Sequence, residues 1–276
     1  SAGMDTKVPV FASMLASAAS TGRADAVDSL LAAGVSVDCV DSKGRTPLII
    51  IAEQGNVDAI KVLLAAGAAV DLASGLSALM IAAKGNHLNA VNCLLDARAD
   101  INLISGVKQT ALLCATRAGN IEIVSSLLAH KASPDIADHI GSTPLMLAVQ
   151  GSDEKTVSLL LKAGANVNAQ DKSGATAFTL ARKKLNGKAM KLLIDAKATI
   201  DLPMEEGLNP LMTAALYKDP ASTKLWIDAG LANQKEDGLT VLSYAIKWGY
   251  EDALKIMVSA KADVNMVDDD GSTPLI

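Results

Sequence analysis

Apolar residues along this chain fall into paired short blocks, each with three- and four-residue spacing and each closed by glycines or polar turns. After Thr46, Leu48, Ile51 and Ala52 share one helical face; after Gly55, Val57, Ile60, Leu63 and Leu64 repeat that spacing. Pro47 suits the first turn of a helix, where its missing N–H is no loss, and Thr46 can cap the free N–H groups behind it. Gly55 and Gly67 close the two helices, because Gly enters the left-handed region at little cost. Turn residues then lead to the next block and predict a short extended finger. The block start recurs at Ser13, Thr46, Ser77, Thr110, Thr143, Thr176, Asn209, Thr240 and Thr273, in steps of 33, 31, 33, 33, 33, 33, 31 and 33. A fixed period of this size predicts a stacked repeat, in which each unit buries its apolar face only against its neighbours.

The repeated segments are "TPLIIIAEQGN" at 46–56, "ALMIAAKGNH" at 78–87, "TALLCATRAGN" at 110–120 and "TPLMLAVQ" at 143–150, with second halves such as "LLDARADIN" at 94–102 and "LLLKAGANVN" at 159–168. On these motifs the chain resembles the ankyrin repeat family over nearly its whole length. The resemblance implies an all-α solenoid of about eight helix–turn–helix units with short connecting fingers. It implies one domain over 4–276, with 4–40 as an N-terminal capping repeat and a truncated further repeat from 268. Ser1-Ala2-Gly3 ahead of Met4 reads as a tag remnant. The fold by itself names no partner, because scaffolds of this kind serve many functions.

Departures from the family pattern carry information. The His usual after T-P-L is replaced by Ile49, Met80, Leu113, Met146, Thr179, Met212 and Ser243. Met fills irregular gaps, so Met80, Met146 and Met212 are expected in the core. The Gly usual after the second helix is replaced by Arg98, Lys131, Lys197 and Lys261. A left-handed backbone at such residues costs roughly 1 kcal/mol each. Leu185 stands where the first helix of its repeat should end in Gly, and Asn186-Gly187 is expected to make that turn.

Composition narrows the function. Half the residues are apolar but only seven are aromatic, as thin, closely packed helices require. No apolar run approaches the roughly 20 residues needed to span a bilayer, so membrane insertion is not expected. Net charge is −5, which disfavours generic nucleic-acid binding. Cys39, Cys93 and Cys114 are odd in number and scattered, which points to reduced thiols and an intracellular, cytoplasmic or nuclear setting. CxxC, HExxH, GxSxG and phosphate-loop motifs are missing from the sequence. His87, His130 and His139 sit at non-equivalent repeat positions, and Asp268-Asp269-Asp270-Gly271 lacks the ligand spacing of a calcium loop. The chain is expected to be no enzyme and to need no cofactor or metal.

The family resemblance assigns the concave face to the finger tips and to the last exposed turn of each first helix. That turn holds Lys84, Arg117, Lys183, Lys184 and Lys247, and becomes aromatic with Tyr217 and Trp248. Surface charges mostly keep such a slab soluble, but a line of one sign over several repeats suggests a binding strip. The leading expectation is a monomeric interaction module for a protein or peptide, acidic and with an apolar anchor. One alternative is a methyl-lysine reader built on Tyr217 and Trp248; another is a regulatory arm of a larger enzyme or channel. By the same resemblance, Asn102, Asn168 and Asn265 occupy the finger position at which Asn hydroxylation occurs.

Overall fold

The Thr-Pro-Leu blocks open helices because threonine satisfies backbone donors that no helical carbonyl can reach. In a computed structural model that describes residues 10–73, 75–184, 186–199, 223–224, 227–228, 235–236, 238–247 and 249–274, Thr46 Oγ1 accepts from the Ile49 N–H at 3.3 Å. Ser77, Thr110 and Thr143 do the same for Met80, Leu113 and Met146 at 3.4, 3.2 and 3.3 Å. The described residues fall into two compact units, one within Ser1–Thr176 and one within Ala177–Ile276.

The first unit is five helix pairs. They are α1 (Val10–Ser20) with α2 (Ala24–Ala32), α3 (Pro47–Gln54) with α4 (Val57–Ala65), α5 (Ala78–Lys84) with α6 (Leu88–Asp96), α7 (Ala111–Ala118) with α8 (Ile121–Ala129), and α9 (Pro144–Gln150) with α10 (Glu154–Lys162). The main packing runs α1–α3–α5–α7–α9 along the first helices and α4–α6–α8–α10 along the second, always between neighbouring pairs. This is the connectivity a stacked repeat requires. The core is correspondingly one layer deep, with Leu48, Leu79, Leu112 and Leu145 from the first helices and Ile60, Val91, Val124 and Val157 from the second. Met80 and Met146 are buried as expected, whereas Met212 lies outside the described residues.

The second unit holds α11 (Ala177–Lys183) and α12 (Gly187–Asp195), then a two-strand finger and a last helix pair. In the finger, β1 (Lys235–Glu236) runs antiparallel to β2 (Leu239–Thr240), with Lys235 opposite Thr240. Helices α13 (Val241–Lys247) and α14 (Glu251–Ser259) follow. Asn186 does not form the expected turn with Gly187. It is the N-cap of α12, its side chain accepting from the Ala189 N–H at 3.0 Å, and Gly187 is the first helical residue. Leu185, the other half of that expectation, lies outside the described residues.

The second helices end in one geometry whether or not glycine is present. After α4, Gly67 N–H bonds Leu64 O and Ala68 N–H bonds Leu63 O, both at 3.0 Å. After α8, Lys131 and Ala132 make the same pair of bonds to Leu128 and Leu127, also at 3.0 Å. Arg98, Lys131, Lys197 and Lys261 have φ of 62°, 68°, 66° and 64°, so all four carry the left-handed backbone expected of them. The first helices show a shift that the glycines conceal. Gly85 and Gly151 are ordinary right-handed residues, and the left-handed ones are Asn86 and Ser152, with φ of 62° and 56°.

Candidate interaction surface

Adjacent repeats are joined by polar side chains at the two edges of the stack, and these joints decide which groups remain for a partner. At one edge, the last carbonyls of each first helix lack helical donors. Asn120 Nδ2 donates to Ala83 O at 2.7 Å, and His87 Nε2 lies 3.0 Å from Glu53 O. The turn histidine is therefore a structural joint between two repeats. At the other edge, finger carboxylates and amides accept from the backbone of the next repeat: Asp38 from Ala69 N–H at 3.0 Å, Asp71 from Asp100 at 3.0 Å, Asn102 from Ser133 at 2.8 Å and Asp135 from Asn166 at 2.8 Å. Asn102 thus has its carboxamide oxygen engaged and is half-buried, while Asn168 and Asn265 are exposed.

Fingers of the first unit close on an acidic or hydroxyl side chain at Asp41, Ser105, Asp138 and Asp171. Asp41 Oδ1 accepts from Lys43 and Arg45 N–H at 2.8 and 2.9 Å; Asp138 Oδ1 accepts from Ile140 and Ser142 N–H, both at 3.0 Å. Burial pushes the Asp41 carboxyl upward, but those two N–H groups and the Arg45 guanidinium outweigh it and hold it below the ordinary carboxylate value. Ser105 takes the same place in the finger between α6 and α7, accepting from Gln109 N–H at 3.1 Å.

Helix ends meet these fingers through arginine, and the direction of the contact reverses along the chain. In the second repeat the cation is on the finger: Arg45 bonds Asp41 at 2.9 Å and Glu53, at the end of α3, at 2.7 Å. Two repeats later the cation is on the helix. Arg117 reaches Gln109 Oε1 and Asp138 Oδ2, each at 2.7 Å, and so clamps two successive fingers. The Asp138 side chain is 1% exposed and that of Arg117 is 47% exposed. Arg117, one of the residues assigned to the cationic strip, is therefore exposed but already neutralised by a carboxylate located 21 positions further along the chain.

The remaining strip residues differ. Lys84, Lys183, Lys184 and Lys247 are exposed, and no carboxylate pairs with their ammonium groups among the described residues. Lys84 belongs to the first unit and the other three to the second. Tyr217 and Trp248 lie outside the described residues, as does Trp226, so the aromatic anchor and the methyl-lysine alternative find no geometry here.

Sequence reasoning missed an apolar feature of the fingers. Among the described residues of the first unit, α1 exposes Val10 and Met14, and the other exposed large apolar residues, Val40, Leu72, Ile104, Val107 and Ile140, are all in fingers. The signal was present: Val107 and Ile140 stand three residues before their block starts, where other fingers carry Lys43, Ser173 and Asp270.

Among the described residues, no group of three or more His, Cys, Asp or Glu could hold a metal ion. Cys39, Cys93 and Cys114 are all free, and burial raises each thiol above its ordinary value, Cys114 to about 11. Such thiols are poor nucleophiles at neutral pH. No described helix is long and apolar enough to cross a membrane. A family model described as ankyrin repeats (3 copies) matches residues 14–105, 100–171, 155–226 and 211–276. No curated protein matches the chain.

Proposed function

Because the chain belongs to the ankyrin repeat family, whose members are general protein–protein interaction modules, we propose that it is a scaffold whose helix ends and fingers hold an acidic peptide or partner domain. The observation that carries this reading is that lysines at the ends of first helices, Lys84 in the first unit and Lys183, Lys184 and Lys247 in the second, are exposed and paired with no carboxylate among the described residues. In the first unit, carboxylates at the ends of α3 and α7 are already engaged. Asp41 and Asp138 are committed to their own finger backbones and to arginine, and Glu53 is committed to Arg45. Each unit therefore offers a partner exposed positive charge that no described carboxylate pairs, which favours encounter with acidic segments. Arg117 contributes a half-exposed guanidinium that is already oriented by two fingers. On the alignment of repeats, Tyr217 and Trp248 supply the apolar anchor at the C-terminal end of this surface. The scaffold acts as a monomer inside the cell, without catalysis or cofactor.

The test is charge reversal of Lys183 and Lys184 to Glu, applied to a partner captured on the immobilised chain. The expected result is weaker binding and a flatter dependence of affinity on salt, because fewer screened attractions remain. Unchanged affinity and salt response, with the fold retained, would remove these lysines from the site.

A further inference from the structure

We propose that the two fingers at residues 105–109 and 138–142 form a docking strip for an extended peptide in which apolar and acidic residues alternate. The inference rests on the interaction-module reading and adds to it the site and the chemistry of the occupant. Its starting point is the exposure of Ile104, Val107 and Ile140, at 46%, 58% and 50%. Turns select polar and glycine residues because their side chains face water, and equivalent tips in this chain hold Lys43, Ser173 and Asp270. Two successive fingers that instead present β-branched apolar tips expose surface that folding has not covered.

These tips are held rigidly. Ser105 and Gln109 close one finger through backbone bonds, Asp138 and Ser142 close the other, and Arg117 clamps both at 2.7 Å. The Ile140 carbonyl also accepts from Lys172 N–H at 3.0 Å, which ties the strip to the following finger. Gly141 permits that approach: a Cβ there would lie 2.9 Å from the Lys172 nitrogen. A preformed strip loses little conformational entropy when it binds.

Charge selects the occupant. Lys108 and Lys172 flank the apolar tips, both exposed and neither paired with a carboxylate among the described residues. Asp138 is buried against Arg117 and cannot serve them. Val107 thus stands beside Lys108 of its own finger and Ile140 beside Lys172 of the next, and a peptide alternating leucine-like and acidic side chains satisfies both. Buried apolar area supplies affinity, and the ammonium groups supply discrimination against basic or neutral peptides.

Methyl-resolved NMR on the full chain tests this with three synthetic peptides of equal length: Leu alternating with Glu, Leu with Lys, and Ser with Glu. The Leu–Glu peptide should shift the methyls of Ile104, Val107 and Ile140 and spare those of Ile246 and Val258, which are also exposed. The other two peptides should bind at least about tenfold more weakly. Val107→Ser with Ile140→Ser, and separately Lys108→Glu with Lys172→Glu, should each weaken the Leu–Glu peptide by a similar factor at unchanged melting temperature. Equal shifts at all five residues, or equal binding of the three peptides, would overturn the proposal. So would broadening of the finger methyls on concentrating the chain alone, since a second copy would then be the occupant. Failure here leaves the charge-reversal test at Lys183 and Lys184 standing, because those residues lie outside the strip.

Discussion

Replacing Lys131 by Gly should relieve backbone strain that replacement by Ala leaves in place, although both changes delete a side chain and a charge. Lys131 follows α8 with φ of 68°, where a residue bearing a Cβ pays about 1–2 kcal/mol. Glycine removes that strain but adds freedom to the unfolded chain, which offsets about 0.4–1 kcal/mol. The net gain is about 0.5–1 kcal/mol from backbone effects. Lys131 also lies at the negative end of the helix dipole, where an exposed cation contributes about 0.3–1 kcal/mol. Comparing Lys131→Ala with Lys131→Gly separates the two effects. The first change removes the charge and keeps the strain; the second relieves the strain as well, so Lys131→Gly should exceed Lys131→Ala by about 0.5–1 kcal/mol. The mirror experiment is Gly67→Ala, at φ of 86°, where nothing lies within 4 Å of an added Cβ. Its cost, about 1 kcal/mol, therefore reports backbone strain without a clash. Urea midpoints read by circular dichroism, at unchanged transition slope, give these differences. Equal midpoints for the two Lys131 variants, together with a neutral Gly67→Ala, would refute the argument that glycine is favoured here for its backbone.

Asp138→Ala should cost about 2–3 kcal/mol, because it strands two finger N–H groups and the Arg117 guanidinium together. Arg117→Ala should cost only about 1 kcal/mol, since Asp138 keeps both backbone donors and the arginine is half-exposed; equal losses in thermal or urea unfolding would contradict this. Cys114 gives a pH signature. Its folded value is about 11 against an ordinary 9.0, so between these pH values the folded chain keeps a proton that the unfolded chain has released. Stability should fall by about 2–3 kcal/mol as pH rises through that window. Cys114→Ala should lack this part of the slope, and an identical pH profile in both proteins would remove the buried thiol as its cause.

The repeat, the caps and the core were legible because each depends on residues close in sequence. Thr143, Pro144, Leu145 and Met146 specify a capped helix start within four positions, and the structure shows that cap. The left-handed lysines were equally legible, since alignment with Gly67 and Gly164 fixes their backbone. Helix ends were less so. Asn86 rather than its neighbour Gly85 bears the left-handed turn, because a single glycine cannot reveal which of two adjacent positions the helix leaves from. Asn186 likewise caps a helix where a turn was expected, since the same residue type suits both roles. The surface was legible only as residue types. That Arg117 is spent on Asp138 while Lys84 meets no carboxylate among the described residues depends on a contact between a helix end and the following finger, which local spacing does not encode.

The central claim is that partners bind on the side formed by helix ends and fingers. Hydrogen exchange of the full chain, with and without a captured partner, tests it most directly. The claim predicts added protection in the fingers at 103–109 and 136–142 and in the end of α5, where Lys84 stands, with α4, α6 and α8 unchanged. Protection confined to α4, α6 and α8, with the fingers exchanging as in the free chain, would place the partner on the second helices and contradict the account.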